Sequence, residues 1–168
     1  IGVGLIVWAL PRLARRCGVT AVAALWLGAL NPLVLLHLIG GIHNEALMIG
    51  MMLVGVEWCF RAIYGEAPLS HRLWKDRLPV PTGMGLLLLA GAAMIAASSM
   101  IKVASLLAMG FVGVALARRW GATLPALRHA PLSQWWRRSR RSVGALLASA
   151  ALTGAVTVGV IVAICLGT

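Results

Sequence analysis

The sequence predicts an all-α, polytopic membrane protein with about six transmembrane helices, each needing roughly 20 apolar residues to cross a bilayer. Three observations predict it. Hydrophobic residues make up 61% of the chain and charged residues only 11%, and the mean hydropathy is +0.93, which no water-soluble domain of this size can accommodate. No charge occurs from Val143 to Thr168, and Lys102 is the only one from Thr82 to Ala117. The basic residues gather between such runs, in clusters at Arg12, Arg15 and Arg16, at Arg61, Arg72, Lys75 and Arg77, and from Arg118 to Arg141. In a soluble protein a net charge of +11 would point to nucleic acid. Here the placement marks loops that face the cytoplasm by the positive-inside rule, and nucleic acid is not an expected partner.

This charge pattern sets the order of spans. The chain opens inside an apolar run, with no initiator methionine or charged segment before it, and reads as an internal piece of a longer protein. The expected spans are 1–10 inward, 19–39 outward, 45–63 inward, 83–99 outward, 102–117 inward and 143–167 outward. All belong to one transmembrane domain over residues 1–168, without a separate soluble domain. A single helix over 83–117 would be about 52 Å long, against about 30 Å of hydrocarbon, so a reversal at Ser98 to Lys102 is expected. It also lifts Lys102 away from mid-bilayer. Trp74, Trp120, Trp135 and Trp136 beside basic residues form interfacial belts over membrane lipids. Pro79, Pro81, Pro125 and Pro131 predict short irregular or surface-lying pieces in the loops. Cys17, Cys59 and Cys165 show no disulfide or metal spacing, and no phosphate-binding loop or dinucleotide fingerprint is present.

The least oily stretch within the apolar runs is 31–45, NPLVLLHLIGGIHNE. Charge placement puts it and Lys102 on the extracytoplasmic face, where Glu45 is the only acid and Lys102 the only base. Ionisable groups at membrane depth need a partner, water or a ligand, so both are candidate site residues. Plainer roles stand beside this reading. Asn44 can cap a helix and Glu45 can favour its macrodipole; His37 can be a packed residue of the outgoing helix, and His43 sits in the turn. Lys102 can cap a helix end or reach lipid headgroups. The spacing of His37, His43 and Glu45 fits no usual zinc pattern, so no metal is assigned. Glu57 lies one helical turn from Arg61 and reads as its partner. Pro32 removes a backbone hydrogen bond and predicts a kinked or broken helix with a pocket beside the 40–45 turn. Met48 and Met52 continue that face, for packing or for a lipid chain.

The segments LWLGALNP, GGIHNEAL and MIKVASLLAMGF resemble the polytopic glycosyltransferases of the GT-C fold. Within these they are most similar to the polyprenol-phosphomannose-dependent alpha-1,6-mannosyltransferases of mycobacteria and corynebacteria. The similarity is clearest over 24–55 and 96–113. It implies an enzyme of the plasma membrane that moves mannose from a polyprenyl monophosphate donor to a lipid-anchored mannan acceptor on the outer face. Such enzymes invert the anomeric carbon: a carboxylate takes the acceptor proton and cations stabilise the departing lipid phosphate. The resemblance implies Lys102 as phosphate contact and His37, His43, Asn44 and Glu45 as sugar or phosphate contacts. It implies no cofactor and leaves a divalent metal open. The expected catalytic aspartate of the first outer loop has no counterpart, since Asp76, the chain's one aspartate, falls in a cytoplasmic loop. The catalytic residue is therefore expected upstream, with Glu45 as the alternative. Two other classes remain: a multi-span transporter or lipid flippase, and a noncatalytic membrane assembly subunit in which Glu45 and Lys102 pair with each other or with another protein.

Overall fold

The computed structural model describes residues 1–36, 38, 44–65, 82–120 and 132–167, with backbone alone for 82–84, 132–143 and 145–146. The described residues are all-helical: α1 Gly2–Arg16, α2 Ala21–Gly28, α3 Pro32–Leu35, α4 Glu45–Tyr64, α5 Thr82–Ser99, a 3-10 turn at Val103–Ser105, α6 Leu106–Arg119 and α7 Leu132–Leu166. His37 and His43, the turn residues 40–43, and the loop tryptophans, prolines and charges of 66–81 and 121–131 lie outside them. Two helical stretches, Glu45–Tyr64 and Leu147–Leu166, are long and apolar enough to cross a bilayer, and Gly85–Ser99 is a shorter apolar helix.

Helix α1 runs through Pro11 to Arg16, past the point where an inward span was expected to end. A proline inside a helix loses one backbone hydrogen bond. The turn is held by the Arg12 guanidinium, which donates to the Trp8 carbonyl and stacks 4.0 Å from the Trp8 ring centre. Gly18, at φ +76°, then reverses the chain. The 19–39 stretch is indeed broken. α2 stops at Gly28, and Asn31 caps the short α3, its side-chain oxygen accepting from Leu33 N–H at 3.0 Å. Pro32 occupies the first position of α3, where its missing N–H is not needed. The break leaves a small apolar crevice lined by Val3, Ile6, Ala29, Val34, Leu35 and Leu38.

Helices α1 and α4 run parallel. At one end a methyl on Gly2 would fall 2.5 Å from the Ala46 backbone, and at the other Arg16 of α1 reaches Glu57 and Gly65. Helices α4 and α5 run antiparallel and nearly touch. A Cβ on Gly55 would lie 2.6 Å from the Gly91 carbonyl oxygen, and one on Gly91 would lie 2.7 Å from the Gly55 carbonyl oxygen. Small residues at such a crossing let two backbones approach, which suits helices that gain little by hiding apolar side chains from lipid. The Cys59 thiol, fully buried there, donates to the Leu88 carbonyl at 3.7 Å.

α6 turns back along α4, with Tyr64 O–H donating to the Ala115 carbonyl at 3.4 Å. α7 packs across α5 and α6, bringing Val156 and Val160 onto the cluster of Cys59, Ile63, Ile95, Val112 and Leu116. The segment 132–142, expected as irregular or surface-lying, is instead the start of one 35-residue helix. After Pro131 it contains no proline or glycine until Gly144, so nothing stops the helix from extending backwards out of the apolar span. At about 52 Å it exceeds the hydrocarbon thickness, and its basic end projects beyond the apolar part. Large apolar side chains stay exposed around the bundle, among them Trp26, Leu33, Leu36, Leu107 and Phe111. That surface is suited to lipid rather than water.

Candidate functional site

The site is built at one end of the bundle from two features far apart in sequence. Glu45 is the first residue of α4. Its carboxylate therefore sits at a helix N-terminus, where the unpaired N–H groups and the macrodipole favour negative charge. Asn44 occupies the cap position, yet its side chain makes no capping hydrogen bond and is exposed.

Lys102 is placed by the reversal between α5 and α6. SSMIK contains neither glycine nor proline, and none is needed, because no residue of the turn takes a positive φ. Ser98 and Ser99 donate their buried hydroxyls to the carbonyls of Ile95 at 2.7 Å and Ala96 at 2.6 Å. The backbone closes with Met100 N–H on Ala97 O at 3.1 Å and Ile101 N–H on Ser98 O at 3.1 Å. These short-range bonds tighten the last turn and satisfy carbonyls that a helix end leaves open. Lys102 then adopts an extended backbone, φ −149° and ψ 126°, and caps the 3-10 turn that starts α6. Ser105 fixes it from the far side, its hydroxyl donating to the Lys102 carbonyl at 3.1 Å.

The Lys102 ammonium is bonded to the Glu45 carboxylate. The lysine side chain remains 57% exposed and the glutamate 28%, so the pair stands at the rim of the bundle with one face open. Met100, Val103 and Leu107, close to the lysine in sequence, are exposed as well. An exposed ammonium on a lipid-suited bundle can take a phosphate whose other end is a hydrocarbon chain.

The opposite end carries a second ion pair, which sequence reasoning missed. Arg16 grips Glu57 with two parallel bonds, Nε to Oε2 at 2.7 Å and Nη2 to Oε1 at 2.8 Å. Its Nη1 donates to the Gly65 carbonyl at 2.6 Å. The expected helix-local pairing of Glu57 with Arg61 thus gives way to a contact between helices, since Glu57 turns both oxygens toward α1 and is buried. The available signal was the acid itself: a carboxylate in an apolar span requires a buried cation, and α1 ends on arginines. Gly65, at φ +69°, ends α4 and presents the carbonyl. Among the described residues no three His, Cys, Asp or Glu side chains converge as a metal site would require.

A lipid-suited helical bundle whose ionised side chains pair across helices defines a helical membrane protein. A family profile for "Alpha-(1->6)-mannopyranosyltransferase, N-terminal domain" matches residues 1–118, and the chain belongs to that family. It is 53% identical over 135 residues to a "Probable alpha-(1->6)-mannopyranosyltransferase" of Mycolicibacterium smegmatis, a match covering 75% of this chain and 23% of the relative. It is 48% identical over 154 residues to an alpha-(1->6)-mannopyranosyltransferase of Mycobacterium tuberculosis, covering 76% of this chain and 26% of the relative. Alpha-(1->6)-mannopyranosyltransferase B of Corynebacterium glutamicum is 42% identical over 122 residues, covering 73% and 19%. The chain thus spans about a quarter of the length of these curated relatives. No solved structure matches.

Proposed function

We propose that this chain forms part of a GT-C-type enzyme that transfers mannose from a polyprenyl monophosphate to a lipid-anchored mannan on the extracytoplasmic face of the plasma membrane. The observation that carries the reading is the Lys102–Glu45 pair, partly exposed on a bundle whose surface carries large apolar side chains, on a chain whose family is that of mannosyltransferases. Lys102 contacts the lipid phosphate and stabilises it as the sugar leaves. Asn44, with its amide uncommitted to capping, and His37 and His43 of the adjoining segment contact sugar or phosphate. The acceptor's proton goes to a carboxylate elsewhere in the full-length protein, and Glu45 is engaged with Lys102 instead. Mannose transfer from radiolabelled polyprenyl phosphomannose by the full-length protein should fall roughly 10²-fold in Lys102→Ala, at unchanged protein level. Transfer close to wild type in that variant would remove Lys102 from the site.

A second reading has its own observation. The same ion pair ties the start of α4 to the α5–α6 reversal, as in a noncatalytic assembly subunit, where its loss would weaken the fold and leave any chemistry to other segments.

In the proposed orientation the about six expected crossings put Arg16, Arg118 and Arg119 on the cytoplasmic side and Glu45 and Lys102 outside. Cys17 and Cys165 are exposed while Cys59 is fully buried. A membrane-impermeant maleimide should therefore label Cys17 only from the cytoplasmic side and Cys165 only from the outside. Cys59 should react only after denaturation. Labelling of Cys17 from outside would invert the orientation.

A further inference from the structure

We infer that the Lys102–Glu45 ion pair is an exchange latch: Glu45 occupies the ammonium in the resting protein, and a lipid phosphate takes it over on binding. The inference rests on the proposed phosphate role of Lys102 and adds a second function, for Glu45, at the same site.

The geometry asks for a competitor rather than a support. Lys102 needs no carboxylate to hold its backbone, which is fixed by Ser98, Ser99 and Ser105 through hydroxyls bonded to local carbonyls. Glu45 is likewise placed by its own helix, as the first residue of α4, where the orphan N–H groups favour negative charge. Each partner is therefore placed by its own element, and the bond between them can open without unravelling either. With 57% of the lysine side chain exposed, an incoming phosphate can approach the ammonium from the open face while the carboxylate still holds the other. The donor's phosphodiester matches the single charge of a carboxylate, and the monoester left after transfer exceeds it in charge and in acceptor oxygens. Once the phosphate binds, the displaced Glu45 stands beside a new anion on the N-terminal turn of α4 and turns toward solvent or toward the sugar.

The consequence is a defined sign for each substitution. Removing the charge of Glu45 abolishes a competing anion, so phosphate binding becomes tighter. Removing Lys102 abolishes the receptor, so binding becomes weaker. An exposed ion pair of this kind holds its partner by an amount equivalent to about two- to fivefold in affinity.

The test is binding of farnesyl monophosphate to the purified full-length protein in lipid nanodiscs, comparing wild type, Glu45→Gln and Lys102→Ala, with the melting temperature of each recorded. Glutamine keeps the size and polarity of Glu45, so the variant retains the N-terminal turn; Glu45→Ala is a second route to the same loss of charge. The latch requires about two- to fivefold tighter binding in the Glu45 variants and weaker binding in Lys102→Ala. Inorganic phosphate, titrated in place of the lipid, should show the same ratio between Glu45→Gln and wild type, because the exchange is made at the phosphate. Unchanged or weaker binding in both Glu45 variants, with Lys102→Ala still impaired, overturns the latch alone. Wild-type affinity in Lys102→Ala overturns the phosphate role on which it rests.

Discussion

Glu57→Gln should destabilise the folded protein by about 3–5 kcal/mol, the cost typical of leaving one partner of a buried ion pair without the other. The arginine side chain is 7% exposed and the glutamate 5%, so the guanidinium would keep its bond to the Gly65 carbonyl and lose its counter-charge. At the other end of the same helix pair, Gly2 and Gly50 hold α1 and α4 in backbone proximity. Thermal unfolding in detergent, followed by loss of the monodisperse species, should show a large fall in midpoint for Glu57→Gln and for Arg16→Met alone. The double variant Arg16→Met with Glu57→Leu should recover most of it, since an apolar pair of similar volume avoids the desolvation of two ions. Two losses that simply add would show that the pair is not coupled.

Gly91→Ala should be strongly damaging. The new Cβ would lie 2.7 Å from the Gly55 carbonyl oxygen, 2.7 Å from the Cys59 sulfur and 2.9 Å from the Cys59 backbone nitrogen. Two of these three neighbours are backbone, which cannot rotate aside, so α4 and α5 must part. Overpacking of this kind costs about 1–3 kcal/mol or more, and Gly55→Ala meets the same obstacle from the other helix. Gly85, in the same α5, has nothing within 4 Å of its would-be Cβ. Gly85→Ala should therefore be neutral or gain up to about 1 kcal/mol from helix propensity. Equal melting temperatures for the two alanine variants of α5 would contradict the close crossing. The same crossing fixes the registry of α5, and through it the position of Lys102 over Glu45.

Much of the fold is legible in the sequence because bilayers impose length and charge rules that need no tertiary information. Lys102 in an otherwise uncharged run marks the reversal, and Asn31-Pro32 marks the helix break; both are local chemistry. The meeting of Glu45 with Lys102 agrees with the expectation that both lie at one end of the bundle. What the sequence conceals is long-range or depends on details of closure. Glu57 has a nearby arginine at helical spacing, so local rules favour Arg61, and only the parallel packing of α1 against α4 brings Arg16 to it. The α5–α6 turn looks implausible without glycine or proline until the hydroxyls of Ser98 and Ser99 are seen to close the helix end. Helix α7 extends through its basic residues because only a breaker would stop it, and a charge cluster is not one. Pro11 is a breaker by local rules and yet stays inside α1, where Arg12 is bonded back to Trp8.

The central claim, that Lys102 serves a lipid phosphate and does not merely tie two helices together, is tested most directly by exchanging the charges. A tie survives exchange of the two signs apart from the roughly 0.3–1 kcal/mol lost on moving a cation to the α4 N-terminus; a phosphate contact does not. In the full-length protein, Lys102→Glu combined with Glu45→Lys should melt close to wild type because the ion pair is rebuilt. Mannose transfer from polyprenyl phosphomannose should nevertheless remain lost, as in Lys102→Ala, because a carboxylate now stands where the phosphate must bind. Recovery of transfer in the exchanged protein would contradict the account and assign the pair to structure alone.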